Sequence, residues 1–223
     1  MQDDATKLRF SLDAKATVRI GAYSRGGKSR LVVKAMDHDF RPTDKVTPYG
    51  ILLPDHDRLY LYFTRGHVTS DFIADCLTDC WRQVRADFPL IQTLVLHQDN
   101  GPENHSRRTQ FMQRLVQFAD AFQLNLRLAY YPPYHSKYNP IERVWGSLEQ
   151  HWNGALLDSL TAVLNFAESM TWHQIHPEIN FIQQTYQTGV RLSQAAMRQL
   201  EPRLERLIGL EKYFVSIRPL QMT

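Results

Sequence analysis

Residues 91–104 read IQTLVLHQDNGPEN. Leu94-Val95-Leu96 is short and apolar at consecutive positions. That suits a strand covered on both faces, since a half-exposed strand would alternate. The run stops at Asp99-Asn100-Gly101, a turn signal. Downstream, "RRTQFMQRLVQFADAF" has the spacing of an amphipathic helix, and "LNLRLAYY" reads as a further strand. Then comes "YYPPYHSKYNPIERVWG", residues 130–146, which opens a helix "PIERVWGSLEQHW". Upstream, Phe72, Ile73, Cys76, Leu77, Cys80, Trp81 and Val84 fall at helical spacing behind Ser70, a plausible cap. "RLYLYFT" before it is an aromatic-rich strand.

Further out, "KLRFSLDAKATVRIGAY" reads as strand, turn and strand. "RLVVKAM" is another strand, with Gly26-Gly27 closing a hairpin. "DHDFRPTDKVTPYG", with its two prolines, reads as loop. Beyond Gly154 the strand signals stop. "LLDSLTAVLNFAESM" and "LSQAAMRQLEPRLERLI" read as helices, the second interrupted by Pro202. Antiparallel strands followed by alternating helix and strand predict an α/β fold with a mixed sheet and helices on both faces. The expected division is residues 1–153 as the sheet domain and 154–223 as a helical extension packed on it.

A chain of 223 residues with 43% hydrophobic and 22% charged residues supports an ordinary globular core. A net charge of +3 permits a nucleic-acid partner without demanding one. No apolar run approaches the roughly 18 residues of a membrane span, so no membrane partner and a cytoplasmic location are expected. Cys76 and Cys80, four apart in a helix, read as reduced thiols.

Three acids stand out by position. Asp13 lies in the first strand, Asp99 just beyond the central strand, and Glu142 in the first turn of the helix after the last strand. Sites in open α/β sheets form beyond the carboxyl ends of strands. Three converging carboxylates would repel unless cations sat between them, and such hard donors suit Mg²⁺ or Mn²⁺. Each acid also has a plainer reading. Asp99 before Asn-Gly suits a turn. Asn139 suits a helix N-cap with Pro140 in the first helical position, and Glu142 can bond back to that cap.

Other features weigh less. Gly21 through Ser29 resembles a phosphate loop but has the wrong spacing and no following helix. His97, His105, His135 and His151 lie near the acids without a zinc-like pattern. His97 is expected to support the site. Arg107, Arg108, Lys137 and Arg143 cluster around the acids in sequence, as a rim for DNA phosphates would.

"LHQDNGPENHSRRTQFMQRL" and "AYYPPYHSKYNPIERVWGSLEQHWNG", together with "SLDAKATVRIGAYSRGGKSR", "DHDF" and "YGILLPDHD", carry a family resemblance across the chain. The sequence closely resembles bacterial insertion-sequence DDE transposases of the Azo-thirteen (ISAzo) group, relatives of the mariner-like transposases. The resemblance implies an RNase H-like fold and two divalent ions, Mg²⁺ or Mn²⁺. They would be held by a catalytic and metal-binding triad that falls on Asp13, Asp99 and Glu142. Asn100, Asn139 and Pro140 would support that triad, with Asn139-Pro140 setting where Glu142 points. The implied partners are DNA, as transposon ends and target, and a possible second copy of the chain. A nucleoid association would follow. Such transposases also carry an N-terminal helix-turn-helix, for which this sequence, opening almost on its first strand, leaves no room; a separate N-terminal portion is therefore expected. The implied activity is DNA strand cleavage at the element end, followed by attack of the freed 3′-hydroxyl on target DNA. Two alternatives remain: another RNase H-like nuclease, or a transposase-derived DNA-binding or assembly protein without catalysis.

Overall fold

The computed structural model describes residues 4–21, 44–132 and 135–220. The Gly26-Gly27 hairpin, the strand at 30–36, most of the rejected phosphate loop and Pro133 lie outside the described residues.

The central strand is β5 (Thr93–Gln98), and it pairs in parallel with β1 (Lys7–Ala14) on one side and β6 (Asn125–Tyr130) on the other. Beyond β1 come β3 (Asp44–Leu53), antiparallel to β1, and β4 (Arg58–Thr64), antiparallel to β3. The short β2 (Val18–Ile20) continues along β3 where β1 leaves off. Lys15 N donates to the Pro48 carbonyl at 2.9 Å across that break.

Helices cover the sheet unequally. α1 (Ser70–Val84) and α2 (Thr109–Phe122) pack on one face, against Leu8, Phe10, Leu12, Tyr49 and Leu96. α3 (Ile141–Trp152) and α4 (Leu160–Glu168) pack on the other, against Leu52, Leu61 and Phe63. Cys76 and Cys80 are buried free thiols in the first layer. The mixed α/β sheet with helices on both faces stands as expected.

Several local expectations need correction. The stretch ending at Gly50 is not wholly loop, because β3 begins at Asp44. Pro48 and Gly50 mimic breakers, yet β3 pairs on both edges. The cap of α1 is Thr69, whose side chain accepts from Phe72 N at 3.2 Å; Ser70 instead donates through Oγ to the Glu103 carbonyl.

The extension at 154–223 is not helical throughout. It contributes β7 (Glu178–Ile182), β8 (Leu204–Arg206) and β9 (Phe214–Ile217). β7 pairs with β4 at one edge of the sheet, and β9 with β6 towards the other, followed by β8. The helical pattern around Pro202 therefore splits into α5 (Gln194–Leu200), a short 3-10 turn and a strand. Residues 154–223 are woven into both edges of the sheet.

Candidate active site

β1 and β5 end side by side at one end of the sheet. Their parallel register pairs Ser11 with His97. Asp13 and Asp99 each follow that pair by two residues. Strand alternation turns Ser11 and Asp13 away from the Leu12 layer, towards α3.

α3 is tied to β1 at that point. Ser11 Oγ donates to Asn139 Oδ1 at 2.5 Å and accepts from Ile141 N at 3.0 Å, while Asn139 Nδ2 donates to the Leu12 carbonyl at 2.9 Å. Asn139 is therefore not the side-chain cap of α3. Pro140 occupies the cap position with helical backbone angles and no side-chain cap bond. Asn139, 1% exposed, spends both ends of its amide on β1 instead. It fastens the helix start to the strand that carries Asp13, which places Glu142, half-buried in the first turn, over the strand ends.

One turn on, Trp145 Nε1 donates to Asp13 Oδ2 at 2.7 Å. The close approach of α3 depends on Gly50, the β3 partner of Asp13. A Cβ there would stand 2.7 Å from Trp145 Cη2 and 2.8 Å from Ile141 Cδ1.

Asp99 is held by its own turn. Asn104 Nδ2 donates to Asp99 Oδ1 at 3.0 Å and to the Asp99 carbonyl at 3.2 Å. The buried Tyr130 hydroxyl donates to the Asn104 carbonyl at 2.9 Å. Gly101 leaves room for this arrangement, since a Cβ would lie 3.2 Å from both Asp99 oxygens and 2.8 Å from Asn104 Oδ1.

The electrostatics of Asp13 show which charges it feels. The Asp13 carboxyl is pushed up from 3.8 to about 7, chiefly by burial; the Trp145 bond works against this, and the negative charges of Glu142 and then Asp99 add to it. The buried phenol of Tyr49 is pushed up chiefly by desolvation, with Cys76, Asp13 and Asp99 adding to it. Its hydroxyl has no hydrogen-bond partner among the described residues. Among the described residues no group of three His, Cys, Asp or Glu already encloses a point where an ion could sit. Asp13 senses the charges of Glu142 and Asp99, and all three are hard oxygen donors of the kind Mg²⁺ and Mn²⁺ take.

The remaining expected residues divide. Arg108 is corrected as a phosphate contact: it is 7% exposed, and its guanidinium binds Glu103 at 2.9 Å and reaches Ser70 Oγ at 3.3 Å. A side chain so engaged braces the Asp99 turn against α1. Arg107 and Arg143 are exposed, and Lys137, also exposed, has its ammonium 5.1 Å from the Tyr138 ring centre. Asn100 holds the turn by accepting from Ser106 N at 3.2 Å and donating to the Lys212 carbonyl at 3.2 Å. His97 sits beside Tyr131, 3.4 Å from its hydroxyl, and burial lowers its pKa. The other histidines scatter. His105 Nδ1 accepts from Arg107 N, His135 stacks on Tyr138, and His151 reaches Ser169.

Sequence reasoning missed Ser11, Gly50, Asn104 and Trp145. Only Trp145 carried a usable signal, lying three residues after Glu142 and so on the same helix face.

The family model described as the Rhodopirellula transposase DDE domain matches residues 1–219. The chain belongs to that DDE transposase family. Two solved structures share the fold of this DDE domain. One is the Mos1 transposase paired-end complex with the left transposon end, at TM-score 0.54 and 14% identity, covering 75% of this chain and 51% of that one. The other is the Mos1 mariner paired-end complex with Mn, at TM-score 0.52 and 13% identity, covering 72% and 46%. The DDE domain described here thus spans about half the length of the Mos1 chains. No curated protein sequence matches it at a significant level.

Proposed function

We propose that this chain is the catalytic part of a DDE transposase, cutting DNA at an element end and joining the freed 3′-hydroxyl to target DNA. The observation that carries this reading is the tether between β1 and α3. Asn139 and Ser11 lock the helix start to the strand, and Glu142 and Asp99 both raise the Asp13 carboxyl from close range. A structural acid would be expected to have a cationic partner; Asp13 has an indole donor and two like charges.

Asp13, Asp99 and Glu142 would hold two divalent ions, Mg²⁺ or Mn²⁺. Bound there, such ions stabilise the attacking and leaving oxygens of a phosphodiester displacement. The chain's own residues supply position. Trp145 orients the Asp13 carboxylate, Asn104 orients that of Asp99, and Asn139 with Pro140 sets the height of Glu142 above the sheet. Exposed Arg107, Lys137 and Arg143 would meet DNA phosphates. The expected partners are transposon-end and target DNA, a second copy of the chain and a helix-turn-helix portion. The Mos1 neighbours are themselves complexes with a transposon end and with Mn, which agrees with this reading.

The test is strand cleavage of duplex DNA with Mn²⁺ by the wild type and by Glu142→Gln. Cleavage by the wild type that Glu142→Gln abolishes supports the reading. Equal cleavage by both, or none by either, contradicts it.

A further inference from the structure

The end of the sheet that carries Asp13 also carries a second cleft. It lies between the β1–β2 connection, the start of β3 and the β4–α1 connection, with a volume of about 260 Å³. Its wall begins at Ala14, the residue after Asp13, and includes Thr17, Lys45, Thr47, Arg65 and His67. Among the described residues no acidic side chain lines it. Thr17 Oγ1 and Thr47 Oγ1 stand 2.8 Å apart, so one hydroxyl proton serves that pair and the other is left to a further acceptor.

Asp44, outside the lining, holds the Arg65 guanidinium through Nε at 3.1 Å and Nη2 at 2.5 Å. That grip fixes the plane of the guanidinium and uses two of its three nitrogens. Lys45 and His67 are exposed and have no ion-pair partner among the described residues.

We propose that this cleft is a phosphate subsite for the DNA strand, one that takes a backbone phosphate next to the phosphodiester seated at Asp13, Asp99 and Glu142. The inference rests on the transposase reading. Hydroxyl donors, an ammonium and an oriented guanidinium are the groups that bind phosphate oxygens. Strand alternation turns Ala14 to the α1 face, away from Asp13, so the cleft lies around the end of β1 from the acids, and a DNA strand passing that end would reach both. Contacts of this kind fix the register of DNA without reading its bases. The subsite therefore sets which phosphodiester meets the acids, and its loss would blur the cleavage position.

The experiment uses the full chain, a short labelled duplex of arbitrary sequence, and Ca²⁺ in place of Mn²⁺. Binding is measured across a salt series for the wild type, Lys45→Ala, Lys45→Glu and Arg82→Ala. Arg82 is exposed on the last turn of α1, away from the cleft. Lys45→Ala should weaken binding about tenfold and make the slope of log affinity against log salt shallower by about one, as for one lost phosphate contact. Lys45→Glu should weaken it further, and Arg82→Ala should leave both quantities unchanged. Lys45 is exposed, and equal thermal melts confirm an intact fold. Wild-type binding and slope in both Lys45 variants overturn the subsite while leaving the transposase reading in place. A wild type that binds no DNA at any salt overturns both.

Discussion

At the scale of single residues, the chemistry turns on one carboxyl that is uncomfortable where it stands. Asp13 has a folded-state pKa of about 7 against 3.8 for an unperturbed aspartate, first because it is buried and then because Glu142 and Asp99 face it. Below pH 3.8 it is protonated in both states and costs nothing. Between 3.8 and about 7 the folded chain keeps a proton that the unfolded chain has released, so stability falls as pH rises. The whole burden is present above about 7. Asp13→Asn should therefore stabilise the metal-free protein at alkaline pH, by up to about 4 kcal/mol, and have little effect near the unfolded pKa. Denaturant melts at the two pH extremes check this, and an equal effect at both would refute it. Trp145 works in the opposite sense, because its indole donor favours the charged form. Trp145→Phe should move the Asp13 carboxyl higher still, which a carboxyl ¹³C NMR titration reads directly. None of this was legible in the sequence. The residues themselves marked Asp13 only as an acid in a strand, the resemblance put it in the triad, and neither showed its indole donor, 132 residues away.

At the scale of elements, β6, α1 and α2 were legible because each carries its own period, and β5 because its apolar run is unbroken. β3 was not. Pro48 and Gly50 read as breakers, but Gly50 is there because α3 needs the space that a Cβ would fill. The three late strands were hidden by their length, at three to five residues each; β7 is only half-buried, and the alternation of β9, with Val215 and Ile217 in the core, spans too few residues to read. The role of Asn139 was half legible. Asn-Pro marked the start of a helix correctly, yet the partner of the asparagine was strand β1 rather than the helix. Two tests follow. Asn139→Ala removes both links to β1 and leaves Ser11 Oγ and the Leu12 carbonyl each short of a partner; it should cost about 2–4 kcal/mol in chemical denaturation. Gly50→Ala should cost about 1–3 kcal/mol by overpacking against Trp145 and Ile141. If α3 is lifted as expected, it should also weaken stabilisation by Mn²⁺. A Gly50→Ala chain as stable and as responsive to Mn²⁺ as the wild type would mean that α3 does not depend on that contact.

At the scale of the whole molecule, Asp13 near the end of β1, Asp99 just past β5 and Glu142 at the start of α3 come from distant parts of the chain onto one mixed sheet, nine-stranded among the described residues. Arg107, Lys137 and Arg143 are exposed, and no described helix is long and apolar enough to cross a membrane. The resemblance in the sequence named the family, and the family match over residues 1–219 agrees with it. What the sequence could not convey is that residues 154–223 close both edges of the sheet. The claim on which everything else depends is that Asp99 is one of the residues holding divalent ions. Thermal melts of the wild type and Asp99→Asn, each with and without Mn²⁺, test it most directly. An ion that binds only the folded state stabilises it by mass action, so Mn²⁺ at about a hundred times its Kd should raise the wild-type Tm by roughly 5–10 °C. Without the ion, Asp99→Asn should be as stable as the wild type or more so, because one of three mutually repelling charges is gone. Its Tm should then barely respond to Mn²⁺. Equal rises in both proteins would show that Asp99 does not hold the ion and would contradict the account.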